Sequence, residues 1–570
     1  MKKIKYLIAI SAIFAVSSCS DVLDTENLGE KSLESYYKTP TDIDEAMAGV
    51  YNAIYTNGIF SEEQISANLM DNMMLGGGGP DDKGAKWVDN FEDPNEDTFR
   101  DLWVQSYNGI ARANAIIEKV PLADFKPYFK TIEEATQYKN QAIGEALFMR
   151  AFFYFRMVKF FGGVPLIVRV DDPKTADRAT ITEVYAQIAS DLKLAIETMP
   201  ATPFPSIPTS RYGHANKWVA EAYMGRVFLY YTGYMTNIEK QATTELPLVD
   251  GGKLNATQVG AYLSDCISKS GHKLATDFRN LWPYSYVNIA AGKTVLPWAE
   301  TEKLSWVGQD GVSPTFGTGN YETMFVQRFS FGDWNWSNGT GNIYTNRYCL
   351  FNGLRGNSLA PFGEGWGWCT VNPKLFSGWD DADTRKRGSV LEVGKPEQGT
   401  GSYAASKGDH ETGLFDKKYT SLQYDKGGSN VGMFVQIYNW SNPDMQLMHA
   451  QDFIYMRYAD VLLMHSEITQ TADGMNEVRR RAGNLPPKAY SLENIKEERL
   501  HEFAFEGLHW FDILRWGDVE ASFNDTFQVN NSGTSANYTA KYRPETKGLV
   551  SIPETEIRLS NNMYKQNPGW

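Results

Sequence analysis

Residues 141–161, QAIGEALFMRAFFYFRMVKFF, are the stretch that decides the fold. Drawn as a helix, this segment is apolar nearly all round, which is typical of a helix buried on every side. The polar side chains of Glu145, Arg156 and Lys159 share one narrow arc at 100° per residue. The sequence GGVP at 162–165 then ends the helix. A long, fully buried helix predicts a helical core.

Amphipathic patterns on both sides of this helix extend the prediction to most of the chain. Residues 42–56 carry apolar side chains at i, i+3 and i+4 spacing, with Thr41 or Asp42 as the N-cap. Helix pairs with Ala at close-packing positions suggest tetratricopeptide-like hairpins, although no strict 34-residue repeat is legible. Further helices are predicted at residues 99–120, 182–199, 215–231, 452–468 and 491–516, the last of which begins after Ser491 and ends at Gly517.

The middle of the chain has a different composition. Residues 282–445 are rich in Gly, Asn, Ser and aromatic residues and contain short strand-like runs such as 322–329. The predicted fold class is therefore mainly α: tetratricopeptide-like helical hairpins packed with a loop-rich, irregular region that contains short strands. We expect a helical part at 42–281, a loop-rich aromatic ligand-binding region at 282–445, and C-terminal helices with a tail at 446–570. Together, 42–570 should form one compact unit.

The N-terminus is that of a secreted protein. Three lysines precede an apolar stretch at 6–16 that is too short to span a bilayer, and small residues then lead into Cys19. This order predicts a signal peptide at 1–18, and it resembles a bacterial lipobox, in which the Cys thiol is acylated. Residues 19–41 would then be a lipidated tether, because several acyl chains hold a protein firmly where one does not. The alternative is a cleaved signal peptide with a Cys nearby by chance.

Net charge and cysteine count exclude several classes of partner and scaffold. The formal net charge is −14, which disfavours nucleic acid and anionic membrane surfaces as partners. If Cys19 is acylated, Cys266, Cys349 and Cys369 remain, so at least one thiol is free. We favour three buried free thiols, while a bond between Cys349 and Cys369 stays open. No apolar segment after the leader approaches the length of a membrane-spanning helix.

Sequence signatures of catalysis and metal binding are weak. The seven histidines form no HExxH motif, and His501 and His509 are eight residues apart on one predicted helix, too far to share a metal easily. The four glycines at 76–79 lack the Lys-Ser/Thr of a phosphate-binding loop, and GxSxG does not occur. The glycines are better interpreted as a flexible loop at a binding face. We therefore predict no catalytic residues, no cofactor and no metal.

Several longer motifs occur in a fixed order and together resemble the SusD/RagB family. They are RAFFYF at 150–155 with GGVP at 162–165, RYADVLL at 457–463 with Glu467, NEVR at 476–479 with RAG at 481–483, ER at 498–499 with EFAFEG at 502–507, WFDILRWG at 510–517, and IPE at 552–554 with QNPGW at 566–570. The resemblance implies a mostly helical fold with four tetratricopeptide-like units. It also implies a lipid-anchored lid, facing outwards, over a SusC-like, TonB-dependent barrel of the outer membrane. Such proteins capture oligosaccharides, polysaccharides or other nutrients without chemistry.

Charged residues in these motifs are expected to be structural. Three arginines lie in very apolar helices: Arg150, Arg457 and Arg515. We expect them to pair with carboxylates such as Glu145, Asp460 or Glu506, since buried charges need partners.

Tryptophans point to the ligand. Eight of the fifteen lie between 282 and 379, and a flat aromatic face suits the C–H faces of a sugar ring, while Asp, Asn and Arg suit its hydroxyls. About half should belong to the core, with Trp298 and Trp379 as the first choices. Family members also resemble this chain in using an early-loop Asp and Trp beside a later Trp and Arg. The candidate stacking residues are Trp87, Trp334, Trp336 and Trp366, and the candidate hydroxyl partners are Asp71 and Arg355.

Two other functional classes remain open. A glycoside hydrolase needs two suitably spaced carboxylates, and Glu364, Asp380, Asp381 and Asp383 lie near the tryptophans. With 69 acidic residues, however, such neighbours are expected by chance. A lipoprotein that binds a peptide or another protein is the remaining alternative, because helical-repeat surfaces bind proteins.

Overall fold

Helices dominate the fold. The structure is a computed structural model, and it describes residues 36–80, 82–286, 297–309, 320–331, 344–356, 358–395, 400–405, 408–425, 430–439, 446–523 and 525–570. The N-terminal helices are α1 (Pro40–Asn52), α2 (Glu63–Leu69), α3 (Gly84–Asp89), α4 (Arg100–Lys119), α5 (Ile132–Phe161), α6 (Ile181–Thr198), α7 (Lys217–Asn237) and α8 (Ala256–Lys269). The later helices are α9 (Pro297–Thr301), α10 (Arg347–Asn352), α11 (Pro373–Gly378), α12 (Thr384–Ser389), α13 (Met433–Ile437), α14 (Tyr458–Thr469), α15 (Asp473–Arg481), α16 (Leu492–Phe503), α17 (His509–Trp516), α18 (Val519–Ser522) and α19 (Glu554–Leu559). None of these helices is both long and apolar enough to cross a membrane.

Helix α5 is the centre of the helical part, as its sequence predicts. Thr131 and Glu134 form a capping box at its start, and Gly162 ends it at a positive φ. From Gly144 to Phe161 every residue of α5 is buried. Neighbouring helices pack against one another in chain order from α4 to α8, and α8 packs on α14, which packs on α15. The mainly α fold with successive helical hairpins is confirmed.

The N-terminal end of α1 differs by two residues from the prediction. Thr39 is the N-cap, its side chain accepting a hydrogen bond from the backbone N–H of Asp42. The Asp42 carboxylate accepts the N–H of Thr39 in return, at 2.9 Å. Asp42 therefore completes a capping box instead of starting the helix, and Pro40 at the first helical position lacks the N–H that would go unpaired.

Short strand pairs, most of them antiparallel, occur in the middle region and at a few places outside it. The strands are β1 (Met74–Gly76), β2 (Glu245–Pro247), β3 (Lys253–Asn255), β4 (Thr323–Gln327), β5 (Leu354–Arg355), β6 (Ser358–Ala360), β7 (Glu364–Gly365), β8 (Cys369–Val371), β9 (Val390–Glu392), β10 (Thr400–Ser402), β11 (Leu414–Asp416), β12 (Gln423–Asp425), β13 (Asn430–Gly432), β14 (Phe453–Arg457), β15 (Thr526–Asn531) and β16 (Thr534–Thr539). The pairs are β1–β8, β6–β10, β9–β11, β12–β13, β4–β14, β15–β16, β2–β3 and the parallel pair β5–β7. The irregular region with short strands is thus as predicted, and β1–β8 joins it to the N-terminal part.

The helix predicted at 452–468 is wrong over its first turn. Residues 453–457 form β14, which pairs antiparallel with β4, and the helix begins only at Tyr458. All five side chains of β14 are buried, so the segment shows neither the alternation of a half-buried strand nor the 3.6-residue period of an amphipathic helix. The backbone partner lies more than a hundred residues earlier in the chain, and a local pattern does not reveal it.

The single helix predicted at 491–516 is also wrong. Ser491 caps α16 as expected, but the chain leaves the helix at Ala504 and starts again at α17. Phe505 and Gly507 both have positive φ in the break. The amide of Asn68 on α2 donates to the Phe505 carbonyl (3.2 Å) and accepts from the Gly507 N–H (3.2 Å). A distant side chain therefore satisfies the backbone groups that the break exposes.

Buried arginines pair with carboxylates, as predicted, though not always with those expected. Arg457 does bind Glu506 (2.9 Å), but Arg150 pairs with Asp191 (2.6 Å) rather than Glu145. Other buried pairs include Arg515 with Glu467 (2.5 Å) and Asp512 (2.8 Å), Asp460 with Arg226 and with Arg499 (2.5 Å), Arg156 with Glu63 (3.2 Å), and Lys159 with Glu63. The three polar residues of α5 therefore have separate partners. Arg156 and Lys159 bind Glu63, whereas Glu145 faces Arg211 and His214.

Cysteine and tryptophan predictions can be compared with the structure directly. Cys266, Cys349 and Cys369 are all free and buried, as favoured. Trp379 is 2% exposed and so belongs to the core, together with Trp282 and Trp306. The side chain of Trp298 lies outside what the structure describes.

His501 and His509 lie on different helices, α16 and α17, and the described residues contain no group of three His, Cys, Asp or Glu that could hold a metal.

Candidate functional site

Four aromatic rings form a cluster where the N-terminal part meets the middle region; we call Phe60, Phe351, Trp366 and Trp368 the aromatic cluster. Phe351 is fully buried, and the other three side chains are partly exposed. The Trp368 ring stacks on Phe351 (centroids 4.8 Å apart, 15° between planes) and on Phe60 (5.7 Å, 13°). The Trp366 ring lies 5.0 Å from that of Trp368 at 43°. The cluster is thus a partly exposed aromatic surface on a rigid base.

Backbone hydrogen bonds hold the two tryptophans in position. Three N–H groups of the Trp-Gly-Trp segment donate to carbonyls at the end of α10: Trp366 to Leu350, Gly367 to Gly353 and Trp368 to Phe351, each at 2.9 Å. Gly367 has a φ of +62°, and a Cβ there would lie 2.8 Å from the Cβ of Arg355. A glycine between the tryptophans is therefore required by both the turn and the packing.

Asp82 supplies a polar edge beside the aromatic cluster. Its Oδ2 accepts three hydrogen bonds: from Arg355 Nη1 (3.1 Å), from Trp368 Nε1 (3.1 Å) and from the Gly79 N–H (2.9 Å). These donors fix the carboxylate in one orientation, and no bond to Oδ1 occurs among the described residues. Because the Asp82 side chain is 34% exposed, it can accept a hydrogen bond from a ligand hydroxyl.

The glycine run packs against this site. The Gly77 N–H donates to the Trp368 carbonyl at 2.7 Å, and Gly78 bridges to Asp409. A Cβ on Gly78 would lie 2.6 Å from Cδ1 of Trp368, and one on Gly79 would lie 2.3 Å from Nη2 of Arg355. The run lies beside the aromatic cluster, and close approach explains its glycines better than the flexible loop that the sequence suggested.

Further charges lie next to the loop. Lys86 on α3 binds Asp409 at 2.7 Å. Burial raises the pKa of Asp409, but hydrogen bonding to Lys86 and its charge outweigh this and hold the pKa below its usual value. Glu411 is 2% exposed, and burial raises its pKa to about 7 despite the nearby charge of Arg355. Charges at this surface are therefore paired or buried, apart from the exposed oxygen of Asp82.

The structure brings two of the six predicted site residues into direct contact. Arg355 on β5 donates to the Trp366 carbonyl at 3.0 Å, and its side chain is 28% exposed. Trp87 is partly exposed on α3, the helix that also carries Lys86. That helix begins at Gly84, where a Cβ would lie 2.3 Å from the Phe60 ring. Trp87 therefore lies on an element that packs against the aromatic cluster.

Asp71 has a different environment from the other candidates. It is 1% exposed, and both of its carboxylate oxygens lie 2.9 Å from Nδ1 of His509. Attraction to Asp71 raises the pKa of His509, although burial opposes this shift. Asp71 thus joins the N-terminal part to α17 and presents no open oxygen to a ligand. Trp334, Trp336 and Cys19 lie outside the described residues.

Sequence reasoning missed three residues of this surface: Phe60, Asp82 and Trp368. Trp368 had a signal, because it belongs to the same Trp-Gly-Trp segment as Trp366. Asp82 and Phe60 had none, since nothing local marks them as neighbours of a segment almost three hundred residues away.

The carboxylates that the sequence offers for glycoside hydrolysis do not lie together at the aromatic cluster. They are Glu364, Asp380, Asp381 and Asp383. Asp383 is buried and bound to Arg385 at 2.7 Å, and Asp381 pairs with Lys386 at 2.6 Å. Glu364 is exposed on β7. Asp383 therefore has a structural ion-pair role.

Known proteins resemble this chain in sequence and in fold. A family model described as "Starch-binding associating with outer membrane" matches residues 21–229, and the model of the SusD family matches residues 359–570. The chain is similar to the SusD-like protein P2 of Formosa agariphila, with 25% identity over the full length of both chains. Among solved structures, it is similar to surface glycan-binding protein A from Bacteroides fluxus, with a TM-score of 0.69, 22% identity, and coverage of 94% of this chain and 100% of that one.

A second solved neighbour is surface glycan-binding protein A from Bacteroides thetaiotaomicron in complex with laminarihexaose, with a TM-score of 0.66 and 17% identity. The structural match covers 93% of this chain and 100% of the B. thetaiotaomicron protein. At such identities, structural likeness establishes the fold. With family matches at both ends of the chain and a relative aligned along its whole length, the chain belongs to the SusD/RagB family, whose members bind glycans and associate with the outer membrane.

Proposed function

We propose that this chain is a lipoprotein on the outer face of the outer membrane that captures a glycan and delivers it to a SusC-like, TonB-dependent transporter. The aromatic cluster, with Asp82 beside it, is the binding surface. The observation that carries the proposal is the fixed Asp82 carboxylate, whose Oδ2 takes three donors and whose Oδ1 has no bond to any described residue, next to partly exposed rings.

Ring faces and hydroxyls of a sugar match these two kinds of group. The Trp366 and Trp368 indoles suit stacking against C–H faces, and Asp82 and Arg355 suit hydroxyl groups. The groups sit on loops whose backbones are bonded to a helical scaffold, so little conformational entropy is lost on binding. Trp87, Trp334 and Trp336 remain candidates for further stacking. The names of the solved neighbours, one of them bound to laminarihexaose, support a carbohydrate ligand.

The test is isothermal titration with a panel of soluble glycans that includes laminarin and starch. For the glycan that binds, we expect Trp366→Ala and Asp82→Asn each to weaken affinity on the order of tenfold, because each removes a stacking or hydroxyl contact. Trp570→Ala is the matched control, since Trp570 is also partly exposed but packs on Arg543 at the C-terminus.

Three outcomes would contradict the proposal. Unchanged affinity in both variants would place the glycan elsewhere on the molecule. Failure to bind any glycan in the panel and in extracts of algal and plant polysaccharides would argue for the peptide-binding or protein-interaction alternative. Release of reducing ends by the wild-type protein would instead support the hydrolase.

A further inference from the structure

A second cleft lies among the helices, apart from the aromatic cluster. It has a volume of about 710 Å³ and is enclosed by α1, the first half of α5 and the loop at 200–216. Its lining shares no residue with the aromatic cluster or with Asp82 and Arg355. A volume of this size falls in the range of ligand sites. The cleft is therefore separate from the proposed glycan-binding surface.

Apolar side chains form the floor and one wall of the cleft. Ile207 from the loop is a partly exposed part of the lining, Ile43 and Met47 from α1 are only 1% and 3% exposed, and the rings of Phe129 and Tyr138 also line the cleft. These two rings lie 5.2 Å apart at 37° and are partly exposed. The floor therefore favours a ligand with apolar groups.

At the inner end of the cleft, one buried carboxylate neutralises the basic groups. Glu145 is 1% exposed and pairs with Arg211, with Nδ1 of His214 (3.2 Å) and with the hydroxyl of Tyr51 (2.8 Å). Burial raises the pKa of Glu145, but Arg211 and His214 outweigh this and hold it below its usual value. Since Glu145 stays charged, the charge of Arg211 is balanced and does not attract an anion.

Two further carboxylates line the cleft, and neither forms an ion pair within 4 Å among the described residues, although the charge of Asp44 also reaches Arg211. Asp44 accepts a hydrogen bond from the Tyr138 hydroxyl on Oδ1 (3.0 Å), and Glu134 accepts backbone N–H groups of Lys130 and Thr131 on Oε2. Both side chains are exposed, and each keeps one oxygen without a bond there. The lining thus carries three carboxylates against one guanidinium and the imidazole of His214, so its net charge favours a cation.

The length of the cleft narrows the class of ligand. Its lining runs along α5 from Glu134 to Glu145, which is about 16 Å at the rise of an α-helix. An extended peptide of about five residues spans that distance. Apolar groups along the floor with carboxylates beside them suit alternating apolar and basic side chains.

We propose that this cleft binds an extended protein segment in which basic side chains alternate with apolar ones. The basic groups pair with Asp44 and Glu134, and the apolar side chains pack on Ile207 and on the rings of Phe129 and Tyr138. This makes the cleft a site for a protein partner, separate from the glycan surface.

The experiment is isothermal titration of the full mature chain with three peptides: acetyl-Leu-Lys-Leu-Lys-Leu-amide and its Gln and Glu counterparts. We expect the Lys peptide to bind, its affinity to fall as salt is raised, and the Glu peptide not to bind. The Asp44→Asn, Glu134→Gln double variant should weaken the Lys peptide at least tenfold. A glutamine at position 134 preserves the capping box, so the helix should keep its start.

Matched controls are available in the chain. Glu183 has the same capping-box position on α6 that Glu134 has on α5, and Glu45 lies next to Asp44 without lining the cleft. The Glu45→Gln, Glu183→Gln double variant should bind the Lys peptide like wild type. Ala48→Trp, at an exposed lining position, should block the cleft and abolish binding while laminarin or starch titrations stay unchanged.

Three results would overturn the proposal. Equal binding of the Gln peptide would make the cleft a purely apolar groove. Equally tight binding of spermidine would make it a site for small polycations. Full affinity of the Asp44→Asn, Glu134→Gln variant, or of Ala48→Trp, would place the peptide elsewhere.

Discussion

At the scale of single residues, burial of Glu411 makes its contribution to protein stability depend on pH. Its carboxyl is 2% exposed, and burial raises its pKa to about 7. In the unfolded chain the carboxyl loses its proton near pH 4.5. Between these values the folded protein binds more protons than the unfolded chain, so the contribution of Glu411 to stability falls as pH rises from 4.5 to 7.

We therefore expect Glu411→Gln to remove part of the pH dependence of stability. The difference in unfolding free energy between variant and wild type should shift in favour of the variant by up to about 3 kcal/mol from pH 4.5 to pH 8. Urea unfolding at several pH values measures this difference. Parallel curves for the two proteins would show that the carboxyl titrates normally.

Arg150 is a second residue whose contacts predict a large effect. Its guanidinium binds both oxygens of Asp191 (2.6 and 2.8 Å), the side-chain oxygen of Asn114 (2.9 Å) and the Val168 carbonyl (2.8 Å). Arg150→Ala would leave the Asp191 charge buried without its partner, at a cost of about 3–5 kcal/mol in unfolding free energy.

The exposed pair Arg169 and Asp171 (2.9 Å) is the control, since solvent screens this pair and Arg169→Ala should leave the unfolding free energy close to that of the wild type. Denaturant unfolding of both variants compares them directly. Similar losses would mean that the Arg150 pair contributes no more than a surface contact.

At the scale of elements, the break between α16 and α17 depends on a residue of α2. Asn68 is 1% exposed and satisfies the Phe505 carbonyl and the Gly507 N–H, which neither helix can satisfy. We expect Asn68→Ala to lower the unfolding free energy by roughly 1–3 kcal/mol, because the buried Gly507 N–H loses its partner, while the Phe505 carbonyl keeps the hydroxyl of Tyr348 at 3.1 Å.

Asn108→Ala on α4 is the comparison, since Asn108 is exposed and bonds only to Gln105 among the described residues. Thermal unfolding should show little change for Asn108→Ala and a clear decrease in Tm for Asn68→Ala. An equal response would mean that water replaces the Asn68 amide.

At the scale of the whole molecule, attachment to the membrane depends on the N-terminus. The described helices include none that could cross a membrane, and the leader, the small residues and Cys19 follow one another in order. We expect Cys19→Ala to move the protein from the membrane fraction to the soluble fraction, because acyl chains then no longer hold it. Fractionation with detergent phase partitioning measures this, and a mutant as firmly bound as wild type would disprove the anchor.

The sequence alone determined the fold class, the family and the buried helix α5. An apolar pattern is a property of consecutive residues, so it can be read without knowledge of distant contacts. The pattern along 141–161 agrees with the burial of α5. Arg355, Trp366 and the position of the glycine run also came from local composition, because aromatic and polar residues cluster in sequence as well as in space.

Only the tertiary structure decided the rest of the surface and the exact ends of several elements. Asp82 meets Trp368 across 286 positions, Asn68 breaks a helix more than four hundred residues later, and β14 needs β4 for its hydrogen bonds. Asp71 was excluded from the surface for the same reason, since His509 binds it from α17. Hydrogen bonds and ion pairs act over a few ångströms irrespective of separation along the chain, so partners brought together by folding leave no mark on the local sequence pattern.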